Sequence, residues 1–217
     1  LSSLDGQLWL DGINLSDVNQ LTLGGDVYLG GNLNAAEIII QGDTKLIGDA
    51  TINGTNSVSI QPGKTIDGTY DLTLETGGDI SIDGDLGATD ALKNLAIKAN
   101  GTVGFSGNIL TTENIEIIAQ GDDVGAIGKN KSGVLLSGSS VESSSGDINI
   151  AALGAVANGT GVELDGGIKL DGQKIEIYGK AEGRGVYFEN DTTLTASDEI
   201  VVEGESTNSN TSFKNYE

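Results

Sequence analysis

The side chains that could do chemistry in this sequence are carboxylates, and they come in pairs at glycine-rich corners. Asp83/Asp85, Asp122/Asp123, Asp165/Asp171 and Asp198/Glu199 each place two acids close together in the chain. Two chemistries use such pairs. One is Ca²⁺ ligation, which needs roughly six to eight oxygen ligands. The other is glycoside hydrolysis, in which one carboxyl group is the acid and its neighbour the base or nucleophile. Neither set is complete here. The Gly-Gly-x-Gly-x-Asp calcium repeat is absent, and polysaccharide-cleaving sites usually add basic groups and aromatic subsites. This chain has one arginine, Arg184, and its aromatics Trp9, Tyr28, Tyr70, Tyr178 and Tyr187 are scattered. Trp9 reads as a capping or packing residue rather than a sugar platform. Asp-Gly is favoured turn chemistry, and carboxylates keep an extended molecule soluble. The corners are therefore read as turns, with weak Ca²⁺ binding as the secondary expectation. No catalytic, cofactor-binding or metal-ligating residue is assigned, and no cofactor is expected.

Composition removes other function classes. The 217 residues contain no Cys, His or Met, which excludes Ser-His-Asp triads, thiol nucleophiles, disulfides and the usual zinc sites. A formal charge of −21 repels phosphate backbones and anionic lipid headgroups, so no nucleic-acid partner is expected. No apolar run approaches the ~18 residues of a membrane span, so no membrane insertion is expected. The start at Leu1 and the missing Met lead us to expect a fragment or a processed product, with any targeting signal elsewhere.

Seven Asn-x-Ser/Thr sequons occur, at Asn14, Asn53, Asn100, Asn130, Asn158, Asn190 and Asn210. Asn-Gly-Thr is also what turns in a Thr-rich β protein produce, and that reading is preferred. The segment Gly121–Lys131 is the one sizeable excursion, with Lys129 and Lys131 interrupting an acidic surface. It is the best candidate for a recognition loop, against the plainer reading of a tolerated insertion.

The elements that would carry these residues are short strands. Inward pairs such as Val162/Leu164, Ile168/Leu170 and Ile175/Ile177 are separated by Gly-containing corners. The order then returns as Val186/Phe188, Leu194/Ala196 and Ile200/Val202. A fixed period built only from strands marks a solenoid. Taking the first apolar residue of each third strand gives Leu21, Ile38, Val58, Leu72, Leu95, Ile115, Ile148, Ile175 and Ile200. The mean step is about 22 residues. The step from Val58 to Leu72 is short and spans Pro62, the only proline, so residues 61–70 are read as a shortened or distorted coil. Ala88 to Asn94 could form a single helical turn. The expected fold is all-β: a parallel β-helix solenoid of about nine coils, each of roughly 20–28 residues with three short strands. Right-handed crossovers are the prior expectation. One domain should cover 1–204, irregular near 61–70 and with a loop at 120–132. Residues 205–217 should be a polar tail or a truncated coil.

Several segments resemble the repeats of filamentous-haemagglutinin-type exoproteins. They are Gly-Asp-Ile-Asn-Ile (146–150), Gly-Val-Glu-Leu-Asp-Gly-Gly-Ile-Lys-Leu (161–170) and Gln-Lys-Ile-Glu-Ile-Tyr-Gly-Lys-Ala (173–181). Gly-Asp-Ile-Ser-Ile-Asp-Gly-Asp-Leu (78–86) and Leu-Ala-Ile-Lys-Ala-Asn-Gly-Thr-Val-Gly-Phe (95–105) are similar to them too. The family consists of large bacterial surface proteins, many exported by two-partner secretion, with β-helical shafts. The family's secretion domain, with its Asn-Pro-Asn-Gly-type motifs, is not matched. The resemblance implies a secreted or cell-surface, adhesin-like shaft segment without catalysis. Its partners would be a host or neighbouring-cell receptor or glycan, or further copies of itself. The alternatives are a β-helical polysaccharide-processing enzyme and a self-assembling surface-layer or filament subunit.

Overall fold

Inward aliphatic residues at i and i+2 bury almost nothing in one short strand, so each strand must lie on a copy of itself one coil away. The computed structural model shows that arrangement and describes residues 7–15, 18–121, 132–156 and 158–207. Every strand pairing among the described residues is parallel. The result is a β-solenoid of about eight turns with three faces, and no helix occurs among the described residues.

Each face is one column of stacked inward residues. Face A starts at Leu8 and continues through Val27, Thr44, Ile66, Leu86, Ile109, Val141, Leu170 and Leu194. Face B holds the column Ile13, Leu33, Ile52, Leu74, Ile97, Ile117, Ile150, Ile177 and Val202. Face C holds Leu21, Ile38, Val58, Ile80, Val103, Val134, Val162 and Val186. The side chains of these columns interlock into one continuous aliphatic core. In several coils the chain stays in strand geometry around a corner. Asp26–Ile40 and Thr44–Ile60, for example, each contribute to all three faces.

Three expectations change. First, Leu72 stacks on Ala50 in face B, whereas Val58 belongs to face C and is followed there by Ile80, 22 residues on. The short step across Pro62 was therefore a change of face, and it places the turn count at about eight. Residues 61–70 supply the face A side of a full-length coil: Ile66 is buried in register between Thr44 and Leu86. Pro62 and Gly63 make a tight exposed turn, closed by the Lys64 N–H donating to the Gln61 carbonyl at 3.2 Å, with Gly63 at φ 68°. Proline fits there because it fixes φ and need not donate to a ladder. Second, Ala88–Asn94 contains bends rather than a helical turn. Leu92, fully buried and bridged to Thr111, fixes that loop to the core. Third, Leu194 stacks on Leu170 rather than on Ile168, which instead fills the corner before it.

Candidate functional site

The acidic and amide side chains at the corners form ladders. Where the chain bends between faces, the carbonyl ladder is interrupted and an N–H in each coil needs another acceptor. At the entry to face B, Asp49 Oδ1 accepts the Asp71 N–H at 3.1 Å. Asn94 Oδ1 accepts the Asn114 N–H at 2.9 Å, Asn114 Oδ1 the Asp147 N–H at 3.0 Å, and Asp147 Oδ1 the Lys174 N–H at 3.2 Å. Asn94 closes the gap in this series by donating its amide to Asp71 at 2.9 Å and to Glu113 at 3.0 Å. A second ladder enters face A, where Asp85 accepts the Asn108 N–H at 2.7 Å and Asn108 accepts the Ser140 N–H at 3.0 Å. At the entry to face C, Asp79 Oδ1 accepts both the N–H and the hydroxyl of Thr102, at 2.8 and 2.9 Å.

The acidic pairs singled out in the sequence divide between these ladders, side-chain hydrogen bonds and ion pairs. Asp85 is a ladder acceptor, and Asp83 accepts the Ser106 hydroxyl at 2.8 Å. Asp165 accepts the Asn190 amide at 2.9 Å, Asp171 lies 3.4 Å from Lys169, and Glu199 lies 3.0 Å from Lys174. Asp122 and Asp123 lie outside the described residues, as do Lys129 and Lys131 of the candidate loop and the sequons at Asn130 and Asn210. Among the described residues no three acids converge on a metal-sized site. Arg184 lies over the Tyr187 ring at 4.0 Å, and the Tyr178 hydroxyl donates to Glu205 at 2.8 Å. Sequence reasoning did not single out Glu163, which is buried on the outer side of face C and accepts the Ser132 hydroxyl.

The sequons are sorted by their third residues. Thr102 and Thr160 are buried, so Asn100 and Asn158 carry the sequence of an acceptor without an accessible hydroxyl. Asn158 sits at φ 53°, the left-handed turn geometry that Asn tolerates. Asn53 differs, since Thr55 is exposed.

Two aromatics that are far apart in sequence are brought together. Trp9 pairs with Tyr28 in the parallel register of face A, and their rings stack at 4.3 Å with 7° between planes. Trp9 is 61% exposed, so it packs against Tyr28 on the outer surface rather than in the core. Beside Tyr28 on the same face lies a groove of about 260 Å³, walled by Asp26, Asp43, Lys45, Asp67 and Asp90. Lys45 reaches Asp90 at 3.4 Å, and Lys64 lies 3.9 Å from Asp43. Comparison with protein-family models, curated proteins and solved structures finds no match.

Proposed function

We propose that this chain is a structural, adhesive shaft segment of a large secreted or surface-exposed bacterial protein, acting without catalysis. One observation carries the reading: an uninterrupted parallel stack, in which each interior coil is bonded to the coil before and the coil after it. Such a rod transmits force along its ladders and keeps its ends apart, and its acidic surface keeps it soluble. Eight steps at the ~4.8 Å strand spacing span about 38 Å, a useful length for holding a binding element away from a surface. The filamentous-haemagglutinin resemblance supports the surface location.

Single-molecule pulling between the two termini tests this. A shaft should unfold in discrete steps, each releasing one coil of about 22 residues, or roughly 75 Å of chain. Beads coated with the protein should adhere to host or neighbouring cells. Featureless extension at low force together with no adhesion would overturn the reading. Turnover of a glycan by the purified chain would instead support the polysaccharide-processing alternative.

A further inference from the structure

We propose that the groove on face A beside Tyr28 binds an amino-sugar residue of a glycan, with its pyranose ring laid on Tyr28. Trp9, one coil before, stacks on one side of the Tyr28 ring at 4.3 Å. The groove is lined by Tyr28 with its own coil and the coils that follow, and Trp9 is not part of its wall. On the other side Lys45 follows Tyr28 in the register but carries its ammonium away to Asp90 at 3.4 Å, so Tyr28 borders the groove with the indole behind it. A flat, rigid ring of this kind takes the C–H face of a sugar at small entropic cost.

The polar walls define what else the ligand carries. Asp43 uses Oδ1 on the Thr65 N–H, Asp67 uses Oδ1 on the N–H groups of Thr89 and Asp90, and Asp90 uses Oδ2 on Lys45. Their second oxygens, and both oxygens of Asp26, have no partner among the described residues. The groove thus offers many acceptors and few donors, with four carboxylates against Lys45 and Lys64. A fitting ligand is rich in donors and carries positive charge, which a hexosamine does with its hydroxyls and ammonium group. Uronates and sulfated sugars would place anions against these carboxylates and are rejected. The groove is also slightly smaller than the roughly 300–1,000 Å³ of drug-sized sites, so it suits one or two sugar rings.

This proposal deepens the adhesive reading by naming a ligand, yet it is tested on purified protein, without cells or force. Trp9 is the only tryptophan in the chain and stands directly behind the site. A glucosamine hexamer should shift its emission saturably. The N-acetylated hexamer should bind about tenfold more weakly, and a heparin hexasaccharide not at all. By calorimetry, Tyr28→Ala and the double variant Asp26→Asn/Asp90→Asn should each weaken the glucosamine hexamer about tenfold or more. If Tyr28→Ala fails to fold, as judged by circular dichroism, the aspartate variant still decides. The proposal is overturned if no saturable binding occurs, if folded variants bind as well as the parent, or if the N-acetylated hexamer binds equally tightly. It is also overturned if hexalysine binds as tightly as the sugar and loses affinity equally in the same variants. Glucosamine binding lost in Tyr28→Ala with cell adhesion intact would support this site and separate it from the adhesive reading.

Discussion

At the residue scale, the corner Asx side chains have a definite job, which is to complete the backbone hydrogen bonding of the next coil. Removing one leaves a partly buried N–H without its acceptor, a cost of about 1–3 kcal/mol. Asn94 is the most connected, accepting from Asn114 and donating to Asp71 and Glu113. Asn94→Ala should therefore lower stability by about 2 kcal/mol in denaturant titration. Asn94→Asp keeps the acceptor but sets a third carboxylate against Asp71 and Glu113, and should recover only part of that loss. Glu142 gives a pH-dependent counterpart. The Ser140 hydroxyl, at 2.6 Å, and the Lys169 ammonium, at 3.0 Å, hold its carboxyl below the ordinary value of 4.5. A carboxyl lowered on folding contributes stability above its unfolded pKa and loses it as pH falls through the lower folded value. The melting-temperature gap between the parent and Glu142→Gln should be open at pH 7 and close below pH 4. Because both partners are largely exposed, that gap should be small. At the sequons, an oligosaccharyltransferase offered the folded protein should modify Asn53 and leave Asn100 and Asn158 bare, by intact mass and peptide mapping.

At the element scale, the corners demand close approach. Gly101 lies on Gly78, its N–H donating to the Gly78 carbonyl at 2.8 Å, and Gly121 lies on Gly101 in the same way at 3.1 Å. A Cβ at Gly101 would strike the Gly78 carbonyl and the Asp79 carboxylate. Gly101→Ala should cost about 1–3 kcal/mol by overpacking, comparable to removing a ladder acceptor. Within a face, Ile97 is fully buried between Leu74 and Ile117. Ile97→Ala should cost about 2–5 kcal/mol, the larger loss because nothing in a stacked column can collapse sideways into the gap. Equilibrium unfolding of these variants separates the two mechanisms.

At the scale of the molecule, stability in a solenoid is a sum of coil interfaces, so protection should follow position along the rod. The last described coil is stacked on one side only: Phe188 and Ile200 are 38% and 40% exposed, while their stacking partners Leu164 and Ile175 are fully buried. Amide exchange should be slowest at Ile97 and Ile117 and at least tenfold faster along 193–206.

How much of this was legible in the sequence depends on the range of the interaction involved. Alternation of aliphatic residues in short runs, broken by Gly and Asp-Gly, determined an all-β chain whose strands return in fixed order. That pattern is local, because a three-residue strand can be buried only on a copy of itself. Assignment of each run to a face was not local. Val58 and Leu72 look alike in sequence, and only the pairing of Val58 with Ile80 and Leu72 with Ala50 shows that they line different walls. The corner ladder was half visible, since Asp79, Asp85, Asn94, Asn108, Asn114 and Asp147 each immediately precede an inward aliphatic residue. Their partners lie one coil away, so the bonds existed only once the register was fixed. Of the paired carboxylates, Asp85 is committed to that ladder, Asp83 and Asp165 accept from side chains one coil away, and Asp171 and Glu199 sit in ion pairs. The groove beside Tyr28 was invisible, because residues 9, 28, 45, 67 and 90 have no common spacing. Coil length varies from turn to turn, and only the stacked register brings those residues onto one face.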